Sequence, residues 1–434
     1  MTIRRSIVAA LAVPLAVALA VPGCRSQESA TPQTGKEGTK VDFGVTNEPC
    51  PQVIDTSMGC IYLGTISDLT EGPFKALAVP ITDAQKAFWR RVNEQGGIGG
   101  YEIDVTTYVK DNKYNPQVHN QVYQEIKPNI LALAQTLGSP TTAAILPDLK
   151  ASNLVAVPAS WTSLWAFEDV VVESGTNYCI ESMNSVDYAA DELGAKSIMA
   201  VHLAGDYGDD AAAGARVAAE KRGLTFTDVK TATGQDNQAG AIDAIVSGNP
   251  DVVILTNSPT DAAVIIGQAG ARGYKGRFVG TSPTWNPGLL KGPAASAIMS
   301  LYLQSAPIQP YGTDTPGHQA MRAALGNVPQ PNEGHTAGWV LSYPLKAALE
   351  KAAENKDLTR AGLLAAVNSL TSVDYEGMLP EGAGNYSGTP NDKVFRQSEV
   401  HKPDEAAPSG ISELEPFFTG PTAKDYKFEK PCYQ

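Results

Sequence analysis

The sequence predicts an α/β protein built as two doubly wound, Rossmann-like parallel-sheet lobes. Three observations carry this expectation. Short apolar, strand-like runs alternate with helical stretches from Ile61 onward. The alternation pauses at residues 177–181 and then resumes, which splits the chain into two blocks. Repeated β-α-β units demand parallel sheets with helices on both faces. At 434 residues, 43% hydrophobic and 18% charged, the chain is long enough for two or three packed cores.

In the first block, residues 61–67 read as a strand. Residues 83–95 place Ala84, Ala87, Phe88 and Val92 on one face and Arg90, Arg91 and Glu94 elsewhere, the pattern of an amphipathic helix. Gly96, Gly97, Gly99 and Gly100 end that helix, because glycine tolerates the left-handed position past a helix C-terminus. Strands are expected at 101–110, 129–136 and 154–158, with helices at 115–126 and 141–151. In the second block, strands at 197–203, 225–231, 251–256 and 277–280 alternate with helices at 209–221, 239–246 and 261–272. Helices at 337–353 and 359–369 follow, and the chain from Glu376 is rich in Gly and Pro.

The N-terminus speaks to the compartment. Arg4 and Arg5 precede an apolar run of fifteen residues, 7–21, broken only by Pro14. A membrane-spanning helix needs about 20, so residues 1–23 are expected to be a signal peptide. The run ends in Val21-Pro22-Gly23-Cys24, which resembles a bacterial lipobox whose Cys receives diacylglycerol. An ordinary cleaved signal with an incidental Cys is the alternative. The expected product is an exported bacterial lipoprotein, anchored by Cys24 to the outer face of the cell membrane or on its periplasmic side. Residues 24–57, poor in aliphatic side chains at their start, are expected to be a flexible tether.

Four cysteines remain: Cys50, Cys60, Cys179 and Cys432. An even number in an exported chain suggests two disulfides. Three pairings are possible, and proximity favours Cys50–Cys60 with Cys179–Cys432. The formal charge of −13 disfavours nucleic-acid binding, since phosphate backbones would be repelled. His and Cys spacing supplies no metal site, and neither a nucleophile elbow, a phosphate loop nor a dinucleotide fingerprint is present. No catalytic residue, cofactor or metal is therefore expected, and an enzyme is disfavoured.

Five stretches together carry a family resemblance: Gly64-Thr-Ile-Ser-Asp-Leu-Thr70, Val92-Asn-Glu-Gln-Gly-Gly-Ile-Gly-Gly-Tyr101, Gly138-Ser-Pro-Thr-Thr-Ala-Ala-Ile-Leu-Pro147, Asp206-Tyr-Gly208 and Asn249-Pro-Asp-Val-Val-Ile254. The chain resembles a type I periplasmic binding protein, and more narrowly the branched-chain amino-acid-type receptors of ABC importers. The resemblance implies a ligand held in a cleft between lobes that close about a three-segment hinge. The crossings would fall at 177–181, near 302–304 and near 375–379. Lobe I would comprise 58–180 with 304–377, and lobe II 181–303 with 378–434.

By the same resemblance, the ligand-binding positions are Ser139, Thr142, Ala159, Ser160, Trp161, Tyr207, Ser282 and Trp285. Each has a second reading. Ser139 and Thr142 suit helix capping, Tyr207 could cover a sheet edge, and the tryptophans could be local core. Ser282 marks a departure. Amino-acid receptors carry an acid near this position to pair with the ligand's ammonium, and Asp206 and Asp261 lie outside that loop. The implied solute is a carboxylate with an apolar or aromatic body, in preference to leucine, isoleucine or valine. The implied partners are that solute, ABC permease and ATPase subunits, and the membrane through the lipid, with the protein itself a monomer. The alternative function is a ligand-sensing lipoprotein that uses the same clamshell for signalling.

Overall fold

The computed structural model describes residues 33–434. The expected leader over 1–23, the expected lipid acceptor Cys24 and the opening of the expected tether lie outside the described residues. From Gln33 onward the tether expectation is corrected, because this segment is packed onto the body. β1 (Gln33–Thr34) pairs antiparallel with β2 (Lys40–Val41), and β3 (Val45–Thr46) pairs antiparallel with the first long strand, β4 (Gly59–Ser67). Val41 is buried, the Arg360 guanidinium carbon sits 4.2 Å from the centre of the Phe43 ring, and Asp42 accepts the Arg360 backbone N–H at 3.1 Å. Strands of two residues are too short to display a period of two, so the sequence there showed only its polar composition.

The first lobe is a sheet of five strands, in which β4 pairs parallel with β5 (Tyr101–Asp111) and β6 (Ala132–Leu137), and β6 with β7 (Ala156–Ala159). β4 and β6 are buried almost throughout, as strands covered by helices on both faces must be. α1 (Lys75–Glu94), α2 (Pro116–Ile126) and α3 (Ser139–Ala151) supply the crossovers. α1 begins eight residues before the expected start, with Pro80 inside it. Proline cannot donate to the carbonyl four residues back. That carbonyl, Ala76 O, instead accepts the side-chain amides of Asn332 at 3.2 Å and Asn286 at 3.5 Å.

The second lobe opens with α4 (Tyr178–Glu192), capped by the Asn177 side chain. β8 (Ser197–Leu203), α5 (Asp206–Arg222), β9 (Thr225–Thr231), α6 (Ala239–Gly248), β10 (Val252–Thr256), α7 (Pro259–Ala271), β11 (Arg277–Gly280), α8 (Ala295–Leu301) and β12 (Tyr302–Ala306) then alternate. α9 (Pro316–Leu325), α10 (Glu333–Glu354), β13 (Asp357–Leu358) and α11 (Arg360–Ser369) return to the first lobe, where β13 pairs with β2 and α10 packs on α1. β14 (Ser398–Pro403) and β15 (Ile411–Phe418) form a hairpin on the second sheet, whose order is β15-β14-β12-β11-β10-β8-β9.

The second and third crossings sit later than expected. Residues 302–304 belong to β12, and the chain re-enters the first lobe's core with Ile308 and Tyr311. Tyr375, Met378, Leu379 and Tyr386 all pack in that core, whereas Asn391 holds the backbone of Phe428 in the second lobe through two 2.9 Å hydrogen bonds. The third crossing therefore follows Tyr386. Residues 376–397 carry no periodic pattern from which it could be read. Disulfides join Cys50 to Cys60 and Cys179 to Cys432, the second tying the chain's end to α4. Among the described residues no helix is long and apolar enough to cross a membrane, and no group of side chains could hold a metal ion.

Candidate solute-binding cleft

Parallel sheets present ligand sites beyond the carboxyl ends of their strands. Here the loops at those ends, from both lobes, line one cleft. After β6, Gly138 adopts φ +97° and turns the chain directly into α3. A Cβ at Gly138 would lie 2.7 Å from the Tyr114 ring, which itself lines the cleft, so space as well as backbone angle requires glycine. α3 has no side-chain cap. Ser139, in its first turn, is 1% exposed, faces the cleft, and its hydroxyl has no hydrogen-bond partner among the described residues.

After β7, Ala159, Ser160 and Trp161 also line the cleft. Ser160 Oγ accepts the Trp165 indole N–H at 3.3 Å, and the Trp161 indole N–H donates to Ser174 O at 2.7 Å. Trp165 thus fixes Ser160 from outside the cleft. Tyr207, near the start of α5, meets Phe74 edge-on at 6.0 Å between ring centres and Tyr178 at 4.8 Å. Tyr178 in turn meets Trp161 at 6.2 Å, and Phe74 meets Tyr114 at 4.7 Å. Rings from both lobes therefore form one continuous wall. Trp285 stacks on Tyr302 at 5.7 Å and anchors its N–H on Ser409 O at 3.1 Å.

Seven of the eight residues implied by the resemblance line this cleft: Ser139, Ala159, Ser160, Trp161, Tyr207, Ser282 and Trp285. Thr142 does not. It is one helical turn beyond the first residue of α3, and its hydroxyl turns back to Thr136 Oγ1 at 2.8 Å, inside the lobe. Ser282 faces the cleft, and its backbone N–H donates to Glu181 behind it. Burial pushes the Glu181 carboxyl well above the usual range, with that N–H pulling partly the other way.

The sequence reading missed Phe74, Tyr114, Tyr178, Gln304, Glu333 and His401, all of which line the cleft. Phe74 and Tyr114 follow the carboxyl ends of β4 and β5, so the strand-end rule could have found them. Glu333 opens α10, and its Oε1 accepts the Tyr311 N–H at 3.3 Å. Burial raises its carboxyl pKa, while Ser409 and His401 lower it. His401 on β14 is fully buried, with Nε2 2.8 Å from Glu399 Oε2. Neither sits in a motif.

The model of the periplasmic binding protein family matches residues 61–398. No curated protein sequence matches the chain. Among solved structures, a fatty acid ABC transporter substrate-binding protein from Thermomonospora curvata is 28% identical, covering 91% of this chain and 98% of that one at a TM-score of 0.82. A branched-chain amino acid ABC transporter from Thermus thermophilus with bound valine is 18% identical, covering 85% and 98% at a TM-score of 0.74. A leucine-binding protein from Thermotoga maritima is 16% identical, covering 83% and 99% at 0.69. The last two share the fold. With the family matched over most of its length, this chain belongs to the periplasmic binding proteins and is a solute-binding protein, not an enzyme.

Proposed function

We propose that the protein is the substrate-binding component of an ABC importer and that its solute is a carboxylate with a long apolar body, of the fatty-acid kind. The observation that carries this reading is the buried Ser139 hydroxyl at the start of α3, without a hydrogen-bond partner among the described residues, in a cleft whose walls are mostly aromatic and aliphatic side chains. The first turn of a helix offers N–H groups without intrahelical partners and the positive end of the helix dipole, so an anion is favoured there. Ser160 Oγ already accepts from Trp165 and keeps its own proton to donate. The apolar body then lies against Phe74, Trp161, Tyr178, Tyr207 and Trp285. The name of the 28% identical Thermomonospora curvata protein supports the same solute class.

In this reading closure of the lobes delivers the solute to permease and ATPase subunits, and a lipid on Cys24 keeps the monomeric receptor beside them. Calorimetry on delipidated protein tests the solute class. Fatty acids should bind with micromolar or tighter dissociation constants, and at about 100 times that constant should stabilise the fold by about 2.7 kcal/mol. Absence of binding by any chain length from octanoic to hexadecanoic acid overturns the proposal. Cys24→Ser should release the protein from membranes; unchanged membrane fractionation rejects the anchor.

A further inference from the structure

One stretch of the cleft is not built for a plain hydrocarbon. Register pairs His401 of β14 with Gln304 of β12, and both line the cleft. His401 is fully buried, and Nε2 is held by Glu399 Oε2 at 2.8 Å. Its other ring nitrogen, Nδ1, has no hydrogen-bond partner among the described residues. Gln304 is not available to it: the amide donates to Thr281 O at 2.8 Å and to Ser305 O at 2.7 Å, and its oxygen accepts the Tyr302 hydroxyl. Glu333 reaches the same cleft from the first residue of α10, in the other lobe. Around them the walls are apolar, from Ile308, Ala337 and Ile411. None of these residues belongs to α3 or β7, which carry the anion site.

We propose that the solute carries a hydroxyl on its apolar body, remote from its carboxylate, and that this hydroxyl is held between His401 Nδ1 and the Glu333 carboxyl. This deepens the fatty-acid reading and rests on it. A hydroxyl both donates and accepts, so it satisfies Nδ1 in either tautomer of the ring and Glu333 at once. A methylene at the same place strips water from two polar groups and returns nothing to them. A second carboxylate must give up its hydration to enter this apolar stretch, which costs more than burying a hydroxyl, so a dicarboxylic acid is disfavoured. The hydroxyl is therefore a specificity determinant, and His401 and Glu333 are the residues that read it.

The test is calorimetry with ω-hydroxy acids against plain fatty acids and dicarboxylic acids of equal chain length, from decanoic to hexadecanoic. At one or more lengths the hydroxy acid should bind at least about tenfold more tightly than the plain acid, and the dicarboxylic acid more weakly than either. His401→Phe should bring the ratio of hydroxy to plain acid towards one. Glu333→Gln, at a partly exposed helix start, should narrow the same ratio and serves should His401→Phe fail to fold. Equal affinity of plain and hydroxy acids at every length overturns this inference while leaving the fatty-acid reading standing. Tighter binding of ω-amino acids than of hydroxy acids overturns it in favour of a cation. Binding of none of these acids overturns both.

Discussion

The Ser282 backbone N–H donates to Glu181 Oε1 at 2.9 Å, fastening the loop after β11 from inside the second lobe. Glu181 projects from α4, is fully buried, and burial disfavours its charge. At the loop where amino-acid receptors present an acid to the ligand, this protein thus shows the cleft a serine and keeps its carboxyl behind it. Glu333, the carboxyl that lines the cleft, comes from the start of α10 and does not belong to that loop.

Leucine, isoleucine and valine should therefore bind weakly, because an ammonium buried without a carboxylate partner costs several kcal/mol. Ser282→Glu should improve leucine binding at least about tenfold, since it returns a carboxylate to the mouth of that loop. Micromolar leucine binding to the unmodified protein, measured by calorimetry, refutes this and makes Glu333 the partner.

Ser139 and Thr142, three residues apart in one helix, should separate function from stability. Ser139→Ala removes a hydroxyl that no group among the described residues uses, so the melting temperature should hold while acid affinity drops about tenfold. Thr142→Ala breaks the bond to Thr136 inside the lobe and should cost about 1 kcal/mol of stability. An affinity loss confined to Thr142→Ala would reverse the assignment.

How far the sequence could be read follows from what makes a pattern. β8, β9 and β11 sit at their expected residues, because each is a continuous run bounded by turn residues. Loops that carry a motif, such as Gly138-Ser-Pro-Thr-Thr, were legible down to Ser139. The β14–β15 hairpin was hidden inside a Gly/Pro-rich tail, since β15 is an edge strand of mixed burial and β14, though buried between β15 and β12, carries Ser398, Glu399 and His401 in place of an apolar run. His401 and Glu333 were hidden with it. Each becomes a cleft residue only when β14 pairs with β12 and α10 crosses above, and contacts between residues so far apart in sequence leave no local trace.

The helix start at Lys75 gives a third prediction. Pro80 leaves Ala76 O to the Asn332 amide, and the Asn332 side chain also caps α10 by accepting the Gly334 N–H at 2.7 Å. Asn332→Ala should cost about 1–3 kcal/mol in the native background. In a Pro80→Ala background the helix supplies its own N–H to Ala76 O, so the same substitution should cost less by about 0.5–1 kcal/mol. Equal costs in the two backgrounds, by denaturant unfolding, would show that Ala76 O does not need Asn332.

The last prediction concerns acid. His119, on α2, is fully buried between Asn112 and Thr136, with Nδ1 3.0 Å from the Asn112 amide nitrogen and Nε2 3.1 Å from Thr136 Oγ1. The Asn112 amide also donates to Leu137 O at 3.0 Å, which assigns it as donor and Nδ1 as acceptor. The ring is therefore neutral when folded, and burial lowers its pKa from 6.5 to about 3. The unfolded chain takes up this proton below pH 6.5, whereas the folded chain does so only near 3. Stability owed to the neutral ring is thus fully present above pH 6.5 and falls by about 1.4 kcal/mol per pH unit below it. Buried carboxyls such as Glu181 and Glu399, whose pKa values are raised, pull the opposite way, so total stability is the wrong readout. The difference between the native protein and His119→Gln isolates the ring, because every carboxyl is common to both. The native protein should be the more stable at pH 7, and the gap should close as pH falls from 6.5 towards 4. A gap that stays constant across that range would mean that His119 is protonated in the folded protein.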